Sequence, residues 1–451
     1  MTATADMDEP FVEDDRRTWI GLVMSLWLTG VFVGSLFGTI ESRQSHAHDA
    51  IMLASLLWPA GYFLFGRNRF FPAGFSMASI GALILFVLFC ALSSFVSRAP
   101  LESVQYTMLT VLTAFVVLQF NTNLDAAQYE IGLKWYAVFM AALVSGFAVY
   151  DYVPGHRLGG GKGTLNPASL ALVTMSVFIA TMAIRRAFVR IPILVAMGTV
   201  IYLTGARASA VAALLGLAVT LACRRRTTDA SGYLVLVLCL VAGIAVSAYY
   251  VDVVIRGASD FFAVQDAHRG LESGGSGRLE TWKAAWNLFL ANPILGVGFR
   301  AHEVMLKVNT SAHNGYLALL AEIGVIGFGA ALFLALSGLR KVQLRSQDSS
   351  QTFACSVLLG LGCGYFALAM FERYFINSGN PTSLLFMLSI LGPAFSDDAM
   401  ESVIVDITTL ATSFAPARFC SRAISRRSTA TRSSSELSAT QSAAASAVIV
   451  G

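Results

Sequence analysis

The chain is poor in charge and in the residues that build thiol or metal chemistry. Asp, Glu, Lys and Arg supply only 13% of its 451 residues, about half the share of an ordinary soluble domain. A water-facing globular fold is excluded on that ground. Cys90, Cys223, Cys239, Cys355 and Cys363 fall in or beside apolar runs, Cys420 lies in the tail, and no Cys-x-x-Cys spacing occurs. Neither structural zinc nor a disulfide framework is expected. His46 and His48 stand close together without a further ligand cluster, so no metal site is expected there. The chain has no Gly-x-Ser-x-Gly elbow and no His-Glu-x-x-His, which removes two common hydrolytic chemistries. Gly159 to Thr164 is glycine-rich but lacks the Gly-x-x-x-x-Gly-Lys spacing and reads as a flexible loop. The first apolar run ends in Gly38-Thr39-Ile40-Glu41 without a small-residue cleavage pattern, so it reads as a retained first span.

What the chain does contain is apolar length. Hydrophobic residues make up 56% of it, and about twelve stretches between Trp19 and Phe395 are long enough, or nearly so, to cross a hydrocarbon core of about 30 Å. Two of them, Ile191 to Thr204 and Ala208 to Cys223, are short and separated by a tight turn, because a merged span would strand Arg207 in apolar surroundings. The expected fold is an all-α polytopic membrane protein of about 12 transmembrane helices, with a helical outer loop between helices nine and ten. Residues 1–18 form an inner segment, 19–398 the membrane domain, 251–312 the outer loop, and 399–451 a low-complexity tail rich in Ser, Ala, Thr and Arg. With the N-terminus inside, the short inner loops hold twelve basic residues and the outer loops six. That bias puts both termini in the cytoplasm and the long loop outside.

The outer loop has its own pattern. After Ser273-Gly274-Gly275-Ser276-Gly277, residues Leu279, Trp282, Trp286, Phe289 and Leu290 follow a helical period that Asn292-Pro293 ends. The pattern predicts an amphipathic helix along the outer interface, anchored by Trp282 and Trp286. Arg278, in its first turn, is either a surface arginine with no task or, because it opposes the helix dipole, one that an anionic partner would explain. Arg207, in the turn Thr204 to Ser209, suits either snorkelling to headgroups or binding the anionic part of a lipid substrate.

Ser311-Ala312-His313-Asn314-Gly315 closes the loop and opens a long apolar run that carries Gly324 and Gly327. Eleven helical steps return to within roughly 20° of the start, which places His313 and Gly324 on one face and lets the glycines admit a neighbouring helix. A histidine at a helix N-terminus is held neutral and able to accept a proton, although a lone interfacial histidine is commonly a structural hydrogen-bonder. Glu322, half a revolution away and deeper, is a poor partner for His313. His302 lacks the helix-start position and is expected to tolerate replacement.

Together these strings resemble a known family. Ser276-Gly277-Arg278, Trp282, Asn292 to Phe299, His313-Asn314 and Gly324-x-x-Gly327, with Gly163 to Pro167 and Thr204 to Ser209 upstream, are similar to the O-antigen ligase and polymerase superfamily of bacterial envelope glycosyltransferases. The resemblance spans about residues 160 to 330. It implies transfer of a glycan from a polyprenyl-diphosphate carrier, with inversion at the anomeric carbon, at the outer face of the inner membrane and without cofactor or required metal. The acceptor would be the lipid A core in a ligase, or another lipid-linked repeat in an O-antigen or exopolysaccharide polymerase. The family's two arginines and one histidine fall on Arg207, Arg278 and His313, with Arg300, Lys162 and Asn314 as further candidates for binding substrate. Other envelope-assembly proteins are possible partners, and nucleic acid is not. A transporter or flippase using Glu322 is the competing class, and a non-enzymatic assembly protein is a third.

Overall fold

The computed structural model describes residues 9–40, 47–65, 77–159, 166–225, 278–305, 312–348, 351–373, 375–376 and 380–391. Lys162, the ninth span, the loop residues 251–277 and the tail from 399 lie outside the described residues. Internal contacts group residues 1–396 as one compact unit, which holds every described element; the second unit, 397–451, is not described.

The described residues are all-helical, without a strand. The helices are α1 (Glu9–Ile40), α2 (Ala47–Phe65), α3 (Met77–Val96), α4 (Pro100–Asn123), α5 (Ala126–Asp151), α6 (Pro167–Ala180), α7 (Ala187–Thr204), α8 (Arg207–Arg225), α9 (Arg278–Ala291), α10 (His302–Met305), α11 (Gly315–Arg345), α12 (Thr352–Leu368) and α13 (Pro381–Ile390). Six of them (α3, α4, α5, α7, α8 and α11) are long and apolar enough to cross a membrane, and shorter apolar helices accompany them. The chain is a multi-pass membrane protein.

Local chemistry sets the helix ends. Asp125 accepts from the Gln128 backbone while the Gln128 side chain accepts from the Asp125 backbone, a reciprocal cap that opens α5. Gly205 takes φ 60° and closes α7 in the left-handed conformation, so the turn before Arg207 is as tight as the sequence indicates. The seventh span is longer than expected, because α7 begins at Ala187 and carries Arg190 and Pro192 near its start. A long arginine stem reaches the headgroups from within a span, so the charge does not end the helix.

Small residues let the helices approach. A Cβ on Gly360 would lie 2.6 Å from Gly216 O, and one on Gly364 would lie 3.1 Å from Ala212 O. That pairing makes α8 and α12 antiparallel and tightly packed. Tyr136 Oη lies 2.7 Å from Ser176 Oγ, joining α5 to α6 inside the core.

The most consequential feature is a break in α11. Gly324 has φ 70° and ψ −178°, a conformation close to glycine-only. The helix hydrogen bonds lost there are replaced by the chain that follows α9. Val325 N–H donates to Pro293 O at 2.9 Å, Val297 N–H to Ala321 O at 2.9 Å, and Gly298 N–H to Glu322 O at 3.1 Å. Non-helical backbone survives at membrane depth only when protein satisfies it in this way. Gly324 therefore does not admit a neighbouring helix: the turn at Pro293 and Ile294 sits against it. Gly327 does face one, since a Cβ there would come 2.8 Å from Phe89 Cβ on α3.

Candidate functional site

α11 starts at Gly315, with Asn314 as its N-cap accepting from Tyr316 N and Leu317 N, each at 3.0 Å. The Asn314 oxygen is thus committed to the helix rather than to a glycan hydroxyl. His313 precedes the cap with φ 46°, so it lies outside the helix and shares no helical face with Gly324. A left-handed histidine is strained by about 1–2 kcal/mol. Arg300 (φ 65°) and Ile376 (φ 45°) are strained in the same sense, and both line one small cavity with Gly315, Glu322, Arg373 and Phe375. At about 10 Å³ that cavity has room for a water and none for a sugar.

Two adjacent residues after α12 organise the polar groups. Gly315 N–H donates to Ala369 O at 2.7 Å and to Glu372 O at 3.1 Å, which docks the start of α11 on the 369–372 turn. From that turn, Glu372 Oε1 accepts from Arg278 Nη2 at 2.9 Å, and Glu372 Oε2 lies 3.2 Å from His313 Nδ1. One carboxylate thereby joins Arg278 and His313. Arg278 has found its anion within the chain, and four of its five N–H donors are not used by that bond. The His313 side chain is 45% exposed and stays open to solvent.

Arg373 faces inward. It pairs with Glu303 and with Glu322. Glu322 Oε1 also lies 2.6 Å from His302 Nδ1, and Ala312 N–H donates to His302 Nε2 at 3.4 Å. A backbone N–H needs a lone pair on Nε2, so the ring carries its proton on Nδ1 and donates it to Glu322. Burial and the Arg373 charge lower the His302 pKa against the pull of Glu322, which favours this neutral form. Burial alone would raise the Glu303 carboxyl, but the charges of Arg373 and Arg300 outweigh it and hold it at about 2. Its folded pKa is depressed, so its stabilising effect is present above the ordinary carboxylate range and lost only as pH falls towards 2.

His302 is consequently not the tolerant residue its sequence position suggests. It is fully buried, and His302→Ala leaves both the Glu322 carboxylate and the Ala312 N–H short of a partner. The expected loss is about 2–3 kcal/mol, read as a lower melting temperature in detergent; an unchanged melting temperature would contradict the network. Glu322, on which a transporter reading leans, is occupied by Arg373 and His302.

Arg207 opens α8. Since Ala212 is opposite Gly364 on the antiparallel α12, five further residues set Arg207 level with the 369–372 turn, at the Glu372 end of the bundle. Arg157 Nη2 donates to Gly205 O at 2.5 Å, placing a second guanidinium at that turn. Arg300 lines the small cavity, with its guanidinium 4.4 Å from the Tyr106 ring centroid. In α9, the small side chains Thr281 and Ala285 are buried while Leu279, Trp286 and Leu290 are exposed. Trp286 is exposed as an interfacial anchor would be, whereas Trp282 is only partly exposed and its indole Nε1 is buried.

Glu372 was not visible as a site residue, because Glu372-Arg373 in the sequence is only a charged pair between two apolar runs. The signal was adjacency of opposite charges in a short loop. Its use depends on which chain segments fold over it.

These features define a class: a multi-pass helical membrane protein with a broken helix and an Arg–Glu–His cluster at one end of its bundle. Residues 192–332 match the O-antigen ligase family, which supports the O-antigen ligase and polymerase superfamily and covers α8 to α10, most of α7 and the broken half of α11. Members of that family are membrane glycosyltransferase-like enzymes. No curated protein matches the chain.

Proposed function

We propose that the protein transfers a glycan from a polyprenyl-diphosphate carrier to a sugar hydroxyl at the outer face of the inner membrane, as an O-antigen ligase acting on the lipid A core. The observation that carries this reading is the convergence of Arg278 and His313 on Glu372, at the bundle end that Arg207 shares. His313 donates Nδ1–H to Glu372, which leaves the Nε2 lone pair for a substrate proton. The acceptor oxygen bonds to the anomeric carbon opposite the diphosphate. The anomeric C–O bond breaks with its electron pair on the diphosphate, the hydroxyl proton passes to His313 Nε2, and configuration inverts. Arg207 and Arg278 stabilise the departing charge.

The glycan profile of a deletion strain tests the reading. Loss of attached polymer with accumulation of lipid-linked chains is the ligase result. Single-repeat products would assign the same chemistry to a repeat-unit polymerase, and an unchanged profile would remove both. Within the site, Arg278→Lys and Arg207→Lys are expected to lower turnover by about tenfold or more, because a point charge cannot reproduce the planar grip of guanidinium on phosphate oxygens. Wild-type turnover at matched protein levels in both variants would remove these arginines from the diphosphate site.

A further inference from the structure

About two turns further along α11 than Gly315 lies a buried ionic layer that takes no part in the transfer chemistry. Its centre is Glu322, 2% exposed and just before the break at Gly324. Glu322 Oε1 pairs with Arg373 Nη2, and the same oxygen accepts the Nδ1–H of His302 at 2.6 Å. Each partner leads to one half of the outer pair. Arg373 directly follows Glu372 in the chain, and its Nη1 pairs with Glu303 of α10. His302 Nε2 accepts from the Ala312 N–H at 3.4 Å, and Ala312 directly precedes His313. One buried carboxylate thereby reaches both members of the His313–Glu372 hydrogen bond, by two separate routes.

Stability alone does not call for charges here. Removing one member of a buried ion pair is destabilising, yet well-packed apolar residues of similar volume in place of the whole group are commonly as stable or more so. An ionisable side chain within an otherwise apolar span marks a working site as a rule. What an ionic layer supplies and an apolar one does not is direction. The planar Arg373 guanidinium is forked between Glu303 and Glu322, and the His302 ring is fixed by a bond at each nitrogen. The centre itself is held by its main chain, because the Glu322 carbonyl accepts from Gly298 N–H at 3.1 Å and the Ala321 carbonyl from Val297 N–H at 2.9 Å.

We infer that Glu322 is a positioning residue for glycan transfer: through Arg373 and His302 it sets Glu372 and His313 at hydrogen-bonding distance, so that the ring presents Nε2 to the acceptor. This rests on the reading of Arg278, Glu372 and His313 as the transfer site. Glu322 exchanges no proton with substrate and makes no bond to it. It acts on rate by keeping the base in place, where a displacement of about 1 Å can cost on the order of 10²-fold.

Glu322→Gln, purified in nanodiscs with a defined polyprenyl-diphosphate glycan, keeps the side-chain volume and an acceptor for His302 but gives Arg373 no charge to grip. Its kcat is expected to fall about 30-fold with KM for the carrier within about threefold of wild type, since Arg207 and Arg278 still meet the diphosphate. Arg373→Lys, whose point charge cannot fork between two carboxylates, is expected to show the same split and serves where Glu322→Gln is not recovered folded. At His302, Gln donates and accepts at once as the ring does and Leu does neither, so His302→Gln should regain about fivefold or more of the kcat lost in His302→Leu. A double-mutant cycle separates position from stability. Added to His313→Ala, Glu322→Gln should lower the residual turnover less than about twofold, because the group it positions is gone. Near-wild-type kcat in both Glu322→Gln and Arg373→Lys would overturn the positioning role and leave the transfer reading standing, as would an undiminished loss in the His313→Ala background. Near-wild-type turnover by His313→Ala alone would remove both.

Discussion

Purified protein carrying His313→Ala, in nanodiscs with a defined polyprenyl-diphosphate glycan, is expected to turn over about 10²-fold or more slowly than wild type while staying folded and inserted. The size of the effect follows from the ring's position. His313 is half-exposed, hydrogen-bonded among the described residues through Nδ1, and held before the cap of α11 rather than within it, so removing it costs little packing. Carrier-lipid binding should survive, because Arg207 and Arg278 remain to meet the diphosphate. Glu372→Gln sharpens the test: an amide can donate to Nδ1 and so favour the ring tautomer that carries its proton on Nε2, the wrong side for accepting one. Its turnover should fall with carrier binding retained. Near-wild-type turnover by His313→Ala would leave the mechanism without its base.

Gly324→Ala is expected to cost more than about 3 kcal/mol, and thus to abolish recovery of monodisperse protein rather than merely slow it. Two penalties coincide there. The backbone sits where L-residues are rarely found, and an added Cβ would meet the carbonyl of Ile294 well inside contact distance. A neighbouring comparison isolates the cause: Gly329 has nothing within 4 Å of an added Cβ, so Gly329→Ala should behave as wild type in fluorescence-detected size exclusion after heating. Equal recovery of both variants would show that the break in α11 is dispensable.

The sequence made some of this architecture legible and concealed the rest, for physical reasons. Helix α9 was readable because its period and its stop at Asn292-Pro293 are local, and the structure places it at Arg278–Ala291. The split between α7 and α8 was readable because a charge and a glycine mark it. The break at Gly324 was not, since a glycine in a long apolar run looks the same whether a helix or a turn of chain packs on it. Long-range polar partners were equally hidden. His302 and Glu322 are 20 residues apart, and His313 and Glu372 are 59 apart, so each pair exists only once the chain has returned on itself. Arg278 was the intermediate case: its conflict with the helix dipole signalled an anion without saying which one.

The stitched break in α11 also constrains how the protein is made. Val297 and Gly298 leave the ribosome before Ala321 and Glu322, whose carbonyls they must satisfy. Until that segment folds back, the broken turn of α11 holds unsatisfied carbonyls in a low-dielectric setting, a state costing several kcal/mol per group. An uninterrupted α-helix through Gly324 would avoid that cost, so the break is favoured only once residues 293–298 have docked on it.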